Sequence, residues 1–373
     1  MDPKIILETA RNREEISAIE ALLLLQEGPA ILPSLFELAD ELTRRSHGTT
    51  VTYVRGKRIH YTNLCRAECS FCSFRRKKGQ KNAFVLSPDE VVRQIRESGS
   101  ARQVTLKGGL NPDLNLNYHL DVLRSVREEF PSIHVEAYSP SEIQFIARRA
   151  RTSVGDVLRR FREAGMDSMT GDSADILNDK VRKKICPDKL RTNDWVDVVK
   201  TAHRLGIPTT AMILFGHVED EINTCEHFEI LRNIQKETGG FTAFEPVPFM
   251  PQGSPLAKAK KIKSPPPLES ILRLVAISRL FFCRYIRNIT VDWTKLGLAG
   301  AVEATRVGAN DLGTLAVDSH EMRSPEVNGR LVMPAATVKS AVAKAGRETR
   351  ERAPYDARTL PTIKTRKEEL VLV

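Results

Sequence analysis

Between residues 51 and 315 the chain alternates segments of two hydrophobic periods, and this alternation restricts its fold more than any other feature. Short apolar runs at 103–106, 133–138, 166–169, 210–215, 241–247, 289–293 and 312–315 read as strands. A first strand pair carries Val51, Tyr53, Ile59 and Tyr61 around a turn at Gly56. Apolar residues at helical spacing mark helices at 118–129, 141–149, 154–163, 194–205, 222–237, 268–285 and 299–307. Strands separated by helices pair in parallel, because each crossover returns the chain to the same edge. Seven or eight such repeats predict an α/β fold closed as a (βα)8 TIM-type barrel, with an open doubly wound sheet as the alternative. In a barrel the reactive side chains gather where the strands end. The first 50 residues lack strand patterning. Helical spacing at 17–26 and 35–45, broken at Gly28-Pro29, predicts a helical N-terminal extension. The expected division is therefore an extension at 1–50, a barrel at 51–320, and a C-terminal helix with a basic tail at 321–373. The chain beyond Arg347 is expected to be poorly ordered.

The length of 373 residues would ordinarily suggest two domains, but one barrel with extensions accounts for it. With 41% apolar and 28% charged residues the chain has enough hydrophobic material for a core, which excludes wholesale disorder. The longest leucine run, 22–25, falls far short of the roughly 20 apolar residues of a membrane span. The Met-Asp-Pro start has no basic leader, so a cytoplasmic enzyme is expected. Lys and Arg number 57 against 47 Asp and Glu, a net charge of +10. The excess gathers in Arg75-Arg-Lys-Lys78 with Lys81, in 258–263 and in 364–367. Nucleic-acid binding would want aromatics interleaved for stacking. Only 6% of residues are aromatic, so solvated loops are the expectation, nucleic acid is an unfavoured partner, and RNA remains an alternative.

The chemistry is carried by Asn63-Leu-Cys65-Arg-Ala-Glu-Cys69-Ser-Phe-Cys72-Ser73, which follows the first strand. Three of the six cysteines fall here, at CxxxCxxC spacing. Thiolates bind soft metals and iron–sulfur clusters. Three of them hold three irons of a four-iron cubane and leave the fourth open to an exogenous ligand. Structural zinc wants a fourth protein ligand, which Cys186, Cys225 or a histidine would have to bring through the fold. Gly108-Gly109, at the end of the second strand, permits a close backbone approach or forms a plain tight turn.

This spacing, with Phe71 just before the last cysteine, resembles the signature of radical S-adenosylmethionine (SAM) enzymes. The resemblance implies a 4Fe-4S cluster on Cys65, Cys69 and Cys72 as the metal site. SAM would chelate the open iron, and its reductive cleavage would release a 5′-deoxyadenosyl radical. Further motifs include Lys107-Gly-Gly-Leu-Asn-Pro-Asp113, Tyr138-Ser-Pro-Ser-Glu142, Ile185-Cys-Pro-Asp-Lys189, Phe215-Gly-His-Val-Glu219 and Gly308-Ala-Asn-Asp-Leu312. Together they are similar to the group that holds the 4-hydroxyphenyl transferase of deazaflavin (F0, coenzyme F420) biosynthesis and two futalosine-pathway enzymes of menaquinone biosynthesis. Ser139-Pro140, Lys189-Leu190 and Ala309-Asn-Asp-Leu312 resemble the deazaflavin branch most.

That branch implies a transferase that joins the 4-hydroxybenzyl part of tyrosine to 5-amino-6-(D-ribitylamino)uracil. It also implies a reductant protein such as flavodoxin or ferredoxin, and a companion deazaflavin synthase subunit. The residues expected around the cofactor are Tyr61, Phe71, Gly108, Gly109, Ser139, Glu142 and Asp175, although Ser139-Pro-Ser-Glu142 also reads as a capping box. His217, Glu219 and Asp311 are the expected catalytic residues, with Glu245 and Asp188-Lys189 as further polar groups at strand ends. Departures from the pattern lie on the substrate side: Asn111 for a histidine, Thr170-Gly171 for Pro-Gly, Asp175 for a glutamate, and a shortened last strand followed by Ala-Val-Asp318. They leave open a paralogue with altered substrates. A futalosine-type addition, an RNA-modifying radical enzyme and a non-enzymatic zinc or cluster protein are the other readings.

Overall fold

Six parallel strands and two short bridged segments form the wall of the barrel in the computed structural model, which describes residues 2–99, 101–317 and 331–354. The strands are β1 (Thr50–Thr62), β2 (Gln103–Gly108), β3 (His134–Ala137), β4 (Thr209–Phe215), β5 (Phe241–Pro248) and β6 (Asp311–Val317). β1 lies between β2 and β6, β2 pairs with β3, and β4 pairs with β5, all in parallel. Parallel bridges Glu136–Ser168 and Met169–Thr209 close the gap between β3 and β4. Phe244–Ile289 and Thr290–Asp311 close the gap between β5 and β6. Residues 168–169 and 289–290 are therefore the fourth and seventh staves of a closed (βα)8 ring.

Both minor staves were expected as strands, a short one at 166–169 and another at 289–293. Side chains take their ladder bonds instead: Asp167 Oδ2 accepts the Val135 N–H at 2.8 Å, and Asn310 Oδ1 accepts the Ile289 N–H at 2.9 Å. The first strand corrects the sequence reading in the opposite direction. It is one strand of 13 residues rather than a pair, and Gly56 lies inside it. A Cβ there would stand 2.9 Å from Thr314 Oγ1 and 3.3 Å from the Gln103 carbonyl, so glycine serves the close fit of β1 between its neighbours.

Helices Pro3–Arg13, Ala18–Gln26 and Leu32–His47 form the N-terminal extension and pack on the outer helices Glu221–Thr238 and Leu268–Phe282. Leu32–His47 buries Leu35, Leu38 and Leu42 and stops at Gly48, whose φ of +60° suits glycine. Helices Asp179–Ile185 and Pro255–Lys260 escaped the sequence reading because they have too few turns to show a period, whereas Pro88–Arg96, with Val91, Val92 and Ile95 at helical spacing, was legible and was missed. Each of the three is capped, by Asn178, Ser254 and Ser87 in turn.

After β6 come β7 (Leu331–Val332), helix Ala335–Lys344 and β8 (Glu348–Glu351). β8 runs parallel to the start of β1, with Thr50 opposite Glu348, so the segment just beyond Arg347 is ordered by the backbone hydrogen bonds of a ladder. Asp318 and the basic run 364–367 lie outside the described residues. Among the described residues no single helix is long and apolar enough to cross a membrane.

Candidate active site

The cysteine loop leaves the C-terminal end of β1 through a register shift between His60 and Thr62, which turns the chain out of the sheet. Asn63 then fixes the loop from both sides. Its amide donates to the Asn82 carbonyl at 2.7 Å and accepts the Phe84 N–H at 2.9 Å. The Cys65 N–H donates to the Arg76 carbonyl (3.2 Å), and the Leu110 N–H donates to Cys65 Sγ (3.2 Å). Cys69 is buried, while Cys65 and Cys72 are half-buried, and all three are free thiols. Burial pushes the Cys65 and Cys69 thiols up, and Lys189 pulls both back in part.

Gly108 and Gly109 end β2 directly beside this loop, and both positions demand glycine. A Cβ at Gly108 would lie 2.3 Å from the Tyr61 ring, and one at Gly109 would lie 2.3 Å from the Leu64 carbonyl and 2.7 Å from Cys65 Cβ. The close approach they allow is thus to the protein's own cysteine loop. Tyr61, expected at the cofactor, is buried to 1% exposure and donates its hydroxyl to Glu142 at 2.6 Å. Glu142 also accepts the Gly108 N–H (3.0 Å) and both the N–H and hydroxyl of Ser139 (2.8 and 2.7 Å). The capping-box reading of Ser139 and Glu142 is realised in full. Burial pushes the Glu142 carboxyl up against these hydrogen bonds. The node ties the ends of β1, β2 and β3 together behind the mouth.

Asp175 pairs with Lys189 at 2.9 Å, and Lys189 lies 5.0 Å above the Phe71 ring. Burial works against the lysine's charge, but Asp175 and the Cys69 and Cys186 sulfurs outweigh it and hold its pKa above the ordinary lysine value. Phe71 and Asp175 therefore sit beside the cysteine loop, as expected, and are joined there by Lys189.

The barrel interior is polar, where (βα)8 barrels are ordinarily packed with branched apolar residues. Thr105, Thr170, Thr210 and Thr242 line a cavity that also holds six charged side chains, Arg58, Lys107, Glu136, Asp172, Glu245 and Arg352. Lys107 pairs with Asp172 at 2.6 Å and Arg58 pairs with Asp292 at 3.3 Å. Burial alone would raise Asp172 and Asp292, but Lys107 and Arg58 respectively hold both carboxyls below the ordinary range. Glu245, on β5, has no hydrogen-bond partner among the described residues. Burial pushes its carboxyl up to about 7, with Arg58 opposing and Asp292 reinforcing the rise. The sequence reading missed Arg58, Asp172 and Asp292. The available signal was a pair of basic residues, Arg58 and Lys107, inside strands of a closed sheet.

All three expected catalytic positions, His217, Glu219 and Asp311, change meaning. The His217 side chain is fully buried in its own loop: Nε2 lies 3.0 Å from the Leu214 carbonyl and Nδ1 lies 2.9 Å from Glu219. Glu219 also accepts the N–H groups of Gly216, His217 and Val218. Burial would raise this carboxyl, but His217 and those donors hold it below the ordinary range. The pair is consumed in shaping the rim after β4. Asp311 lies at the wrong end of the barrel. It begins β6 opposite Thr52, some ten residues or roughly 30 Å of strand before the mouth. There it is fully buried and bound by Arg352 (2.6 Å), Thr52 (2.5 Å) and the Gly313 N–H (2.8 Å). The sequence reading placed the strand one residue late and mistook its start for its functional end.

Comparison with known proteins agrees with this architecture. Residues 59–231 match the model of the radical SAM superfamily, and residues 238–364 match that of the CofH/MqnC C-terminal region. A 5-amino-6-(D-ribitylamino)uracil–L-tyrosine 4-hydroxyphenyl transferase of Methanosarcina mazei is 40% identical over 88% of this chain and 87% of that protein. The protein of that name from Methanocaldococcus jannaschii is 36% identical over 94% of this chain and 98% of its own length. The chain belongs to this radical SAM family. Solved structures add the fold alone: methylornithine synthase superposes with a TM-score of 0.70 at 16% identity, covering 93% of this chain and 97% of its own. A maturase of the FeFe-hydrogenase gives 0.73 at 15%, covering 93% and 75%.

This radical SAM enzyme offers a donor set that fits the cluster of its family. The three thiols sit on one loop, and no disulfide removes them. No three His, Cys, Asp or Glu side chains among the described residues are gathered at ligating distance, and thiolate ligation of a metal requires loss of the thiol proton.

Proposed function

We propose that Cys65, Cys69 and Cys72 hold the 4Fe-4S cluster over the polar lumen. There the enzyme joins the 4-hydroxybenzyl group of tyrosine to 5-amino-6-(D-ribitylamino)uracil. With SAM bound, the cluster supplies the one-electron chemistry that yields a 5′-deoxyadenosyl radical. The observation that carries the substrate reading is Glu245, a carboxyl that faces the lumen without a hydrogen-bond partner among the described residues, near the Lys107–Asp172 and Arg58–Asp292 ion pairs.

Each feature has a chemical use. An ammonium group must lose a proton before its nitrogen can give up a hydrogen atom, and a carboxyl titrating near 7 is suited to take that proton. The cations Arg58 and Lys107 suit a carboxylate or the uracil carbonyls, and the threonine-lined wall can replace the water around a ribityl chain. Closure by the barrel keeps solvent from the reacting atoms. Tyr61, Glu142 and Ser139 act behind the cofactor as a brace for Gly108-Gly109. Lys189, held by Asp175 and stacked on Phe71, fixes the other side of the loop.

The decisive experiment is anaerobic incubation of the reconstituted enzyme with SAM, a reductant, tyrosine and the ribitylaminouracil, followed by mass spectrometry. The expected result is a tyrosine–uracil adduct with free 5′-deoxyadenosine. Deoxyadenosine without an adduct refutes the substrates, and an adenosylated product formed when an enol-ether benzoate replaces them moves the chain to the futalosine-type reaction.

A further inference from the structure

The basic runs that sequence reading left as solvated loops converge on the cysteine loop. The segment from Cys65 to Lys81 holds six basic residues and one acidic residue, and the segment from Pro251 to Pro267 holds four lysines and no acid. The first folds back on the loop through the Cys65–Arg76 backbone bond. The second docks on the stretch between Cys69 and Cys72: the Leu256 N–H donates to the Ser70 carbonyl at 2.7 Å, and Ser254 Oγ donates to the same carbonyl at 3.1 Å. A third element, helix Asp179–Ile185, accepts the Ser70 N–H at its last carbonyl (2.7 Å) and presents exposed Lys183 and Lys184. The loop is thus ringed by positive charge.

The charge is unevenly neutralised. Arg75 and Lys77 reach Glu68, and Lys78 reaches Asp113. Lys258, Lys260, Lys261 and Lys263 are exposed and form no ion pair among the described residues. Such a patch attracts a strongly acidic partner. The aromatic rings nearby are tucked inward: Phe74 packs on His60 and Phe84, and Phe71 lies under Lys189. No stacking platform is presented among the described residues, which disfavours single-stranded nucleic acid. Cys65 and Cys72 are only half-buried, so an electron from outside has its entry here.

We propose that this rim is the docking face of an acidic one-electron carrier protein, an inference that rests on the radical SAM reading. One electron leaves the carrier's reduced cofactor and enters the cluster. The carrier is oxidised by one electron, the cluster is reduced by one, and no proton or group is transferred. Electron-transfer encounters are small and transient, so charge steering governs their rate.

The test is binding of the cluster-free chain to oxidised flavodoxin by calorimetry at about 50 mM salt, where screening is weak. The quadruple variant K258Q/K260Q/K261Q/K263Q is expected to weaken binding about tenfold, and added salt should weaken the unsubstituted protein similarly. K339Q/K344Q, on the helix beside β8 at the opposite end of the barrel, should bind normally. In the reconstituted enzyme, SAM cleavage driven by limiting reduced flavodoxin should fall about tenfold in the quadruple variant, whereas cleavage driven by dithionite should not change. Equal flavodoxin binding by variant and parent overturns the proposal. So does tRNA binding at physiological salt that excludes flavodoxin, which would make the rim a nucleic-acid face. Absence of dithionite-driven cleavage in the parent enzyme would instead indict the proposed reaction, while flavodoxin binding still reports on the rim.

Discussion

At the floor of the barrel Asp311 is enclosed by Arg352, Thr52, Thr290 and the Gly313 N–H. Higher in the same lumen, Glu245 is enclosed by charge but bonded to nothing among the described residues. Both are acids on barrel strands, Asp311 buried and Glu245 half-buried, yet their titration is driven in opposite directions. Burial would raise each. Arg352 reverses the effect at Asp311 and holds its carboxyl low, while at Glu245 the opposing cations are already committed to Asp292 and Asp172. A satisfied carboxylate stabilises the fold, whereas an unsatisfied one is a cost that persists only where something else uses it. The floor is built to stay closed, and the mouth is built to receive.

The sharpest way to separate the two ends is to cut the cysteine loop. Cys69→Ala should abolish SAM cleavage and lower bound iron. The cluster-free protein should lose only about 1 kcal/mol of stability, because the thiol packs there as a small apolar group. Retained cleavage with a full iron complement would break the cluster assignment.

Asp311→Ala tests the other end. It strands Arg352, whose side chain is only 12% exposed, and should cost about 3–5 kcal/mol in urea unfolding while kcat stays within about twofold. Since the folded-state pKa of Asp311 lies below its ordinary 3.8, this stability is present above that value and is lost as the pH falls below it. The difference between variant and parent should therefore shrink in acid. A large fall in kcat with unchanged stability would return Asp311 to the catalytic set.

Glu245→Gln should lower kcat about 100-fold and flatten its rise through pH 7. Its stability profile has the opposite sign to that of Asp311. The folded chain holds the Glu245 proton more tightly than the unfolded chain, so the parent loses stability as the pH rises from about 4.5 to about 7, and the glutamine variant does not. A variant with full kcat and the same pH slope as the parent would make Glu245 an ordinary lumen wall residue.

The legibility of these two ends differed for a physical reason. Barrel topology was readable because helical and strand periods are written in the chain itself, and the cysteine loop was readable because metal ligation fixes a spacing. Asp311 was misplaced because a polar residue flanking a short apolar run was taken as a functional strand end, although in a parallel barrel the residue that starts a strand lies on the floor. The lumen ring was largely invisible because Arg58, Lys107, Asp172, Glu245 and Asp292 come from five different staves and meet only when the sheet closes. The single strand through Gly56 was missed for a related reason. A glycine that accommodates Thr314, far away in sequence, looks locally like a turn.

Ser139 offers the smallest and most discriminating change, because its two readings predict different observables. As the N-cap of helix Pro140–Ala150 its hydroxyl accepts from the Glu142 N–H and donates to the Glu142 carboxylate, so Ser139→Ala should cost about 1 kcal/mol of stability. That carboxylate also receives Gly108 and Tyr61, so a loosened cap relaxes the Gly-Gly turn beside Cys65 and should lower kcat a few-fold. If the hydroxyl serves only the brace, the KM for SAM stays unchanged in Ser139→Ala, and Ser139→Thr, which keeps a hydroxyl for both bonds to Glu142, restores stability and kcat together. If it touched the cofactor directly, the KM for SAM would rise in Ser139→Ala. An unchanged KM therefore assigns the residue to the brace behind the mouth, and a raised one assigns it to the mouth itself.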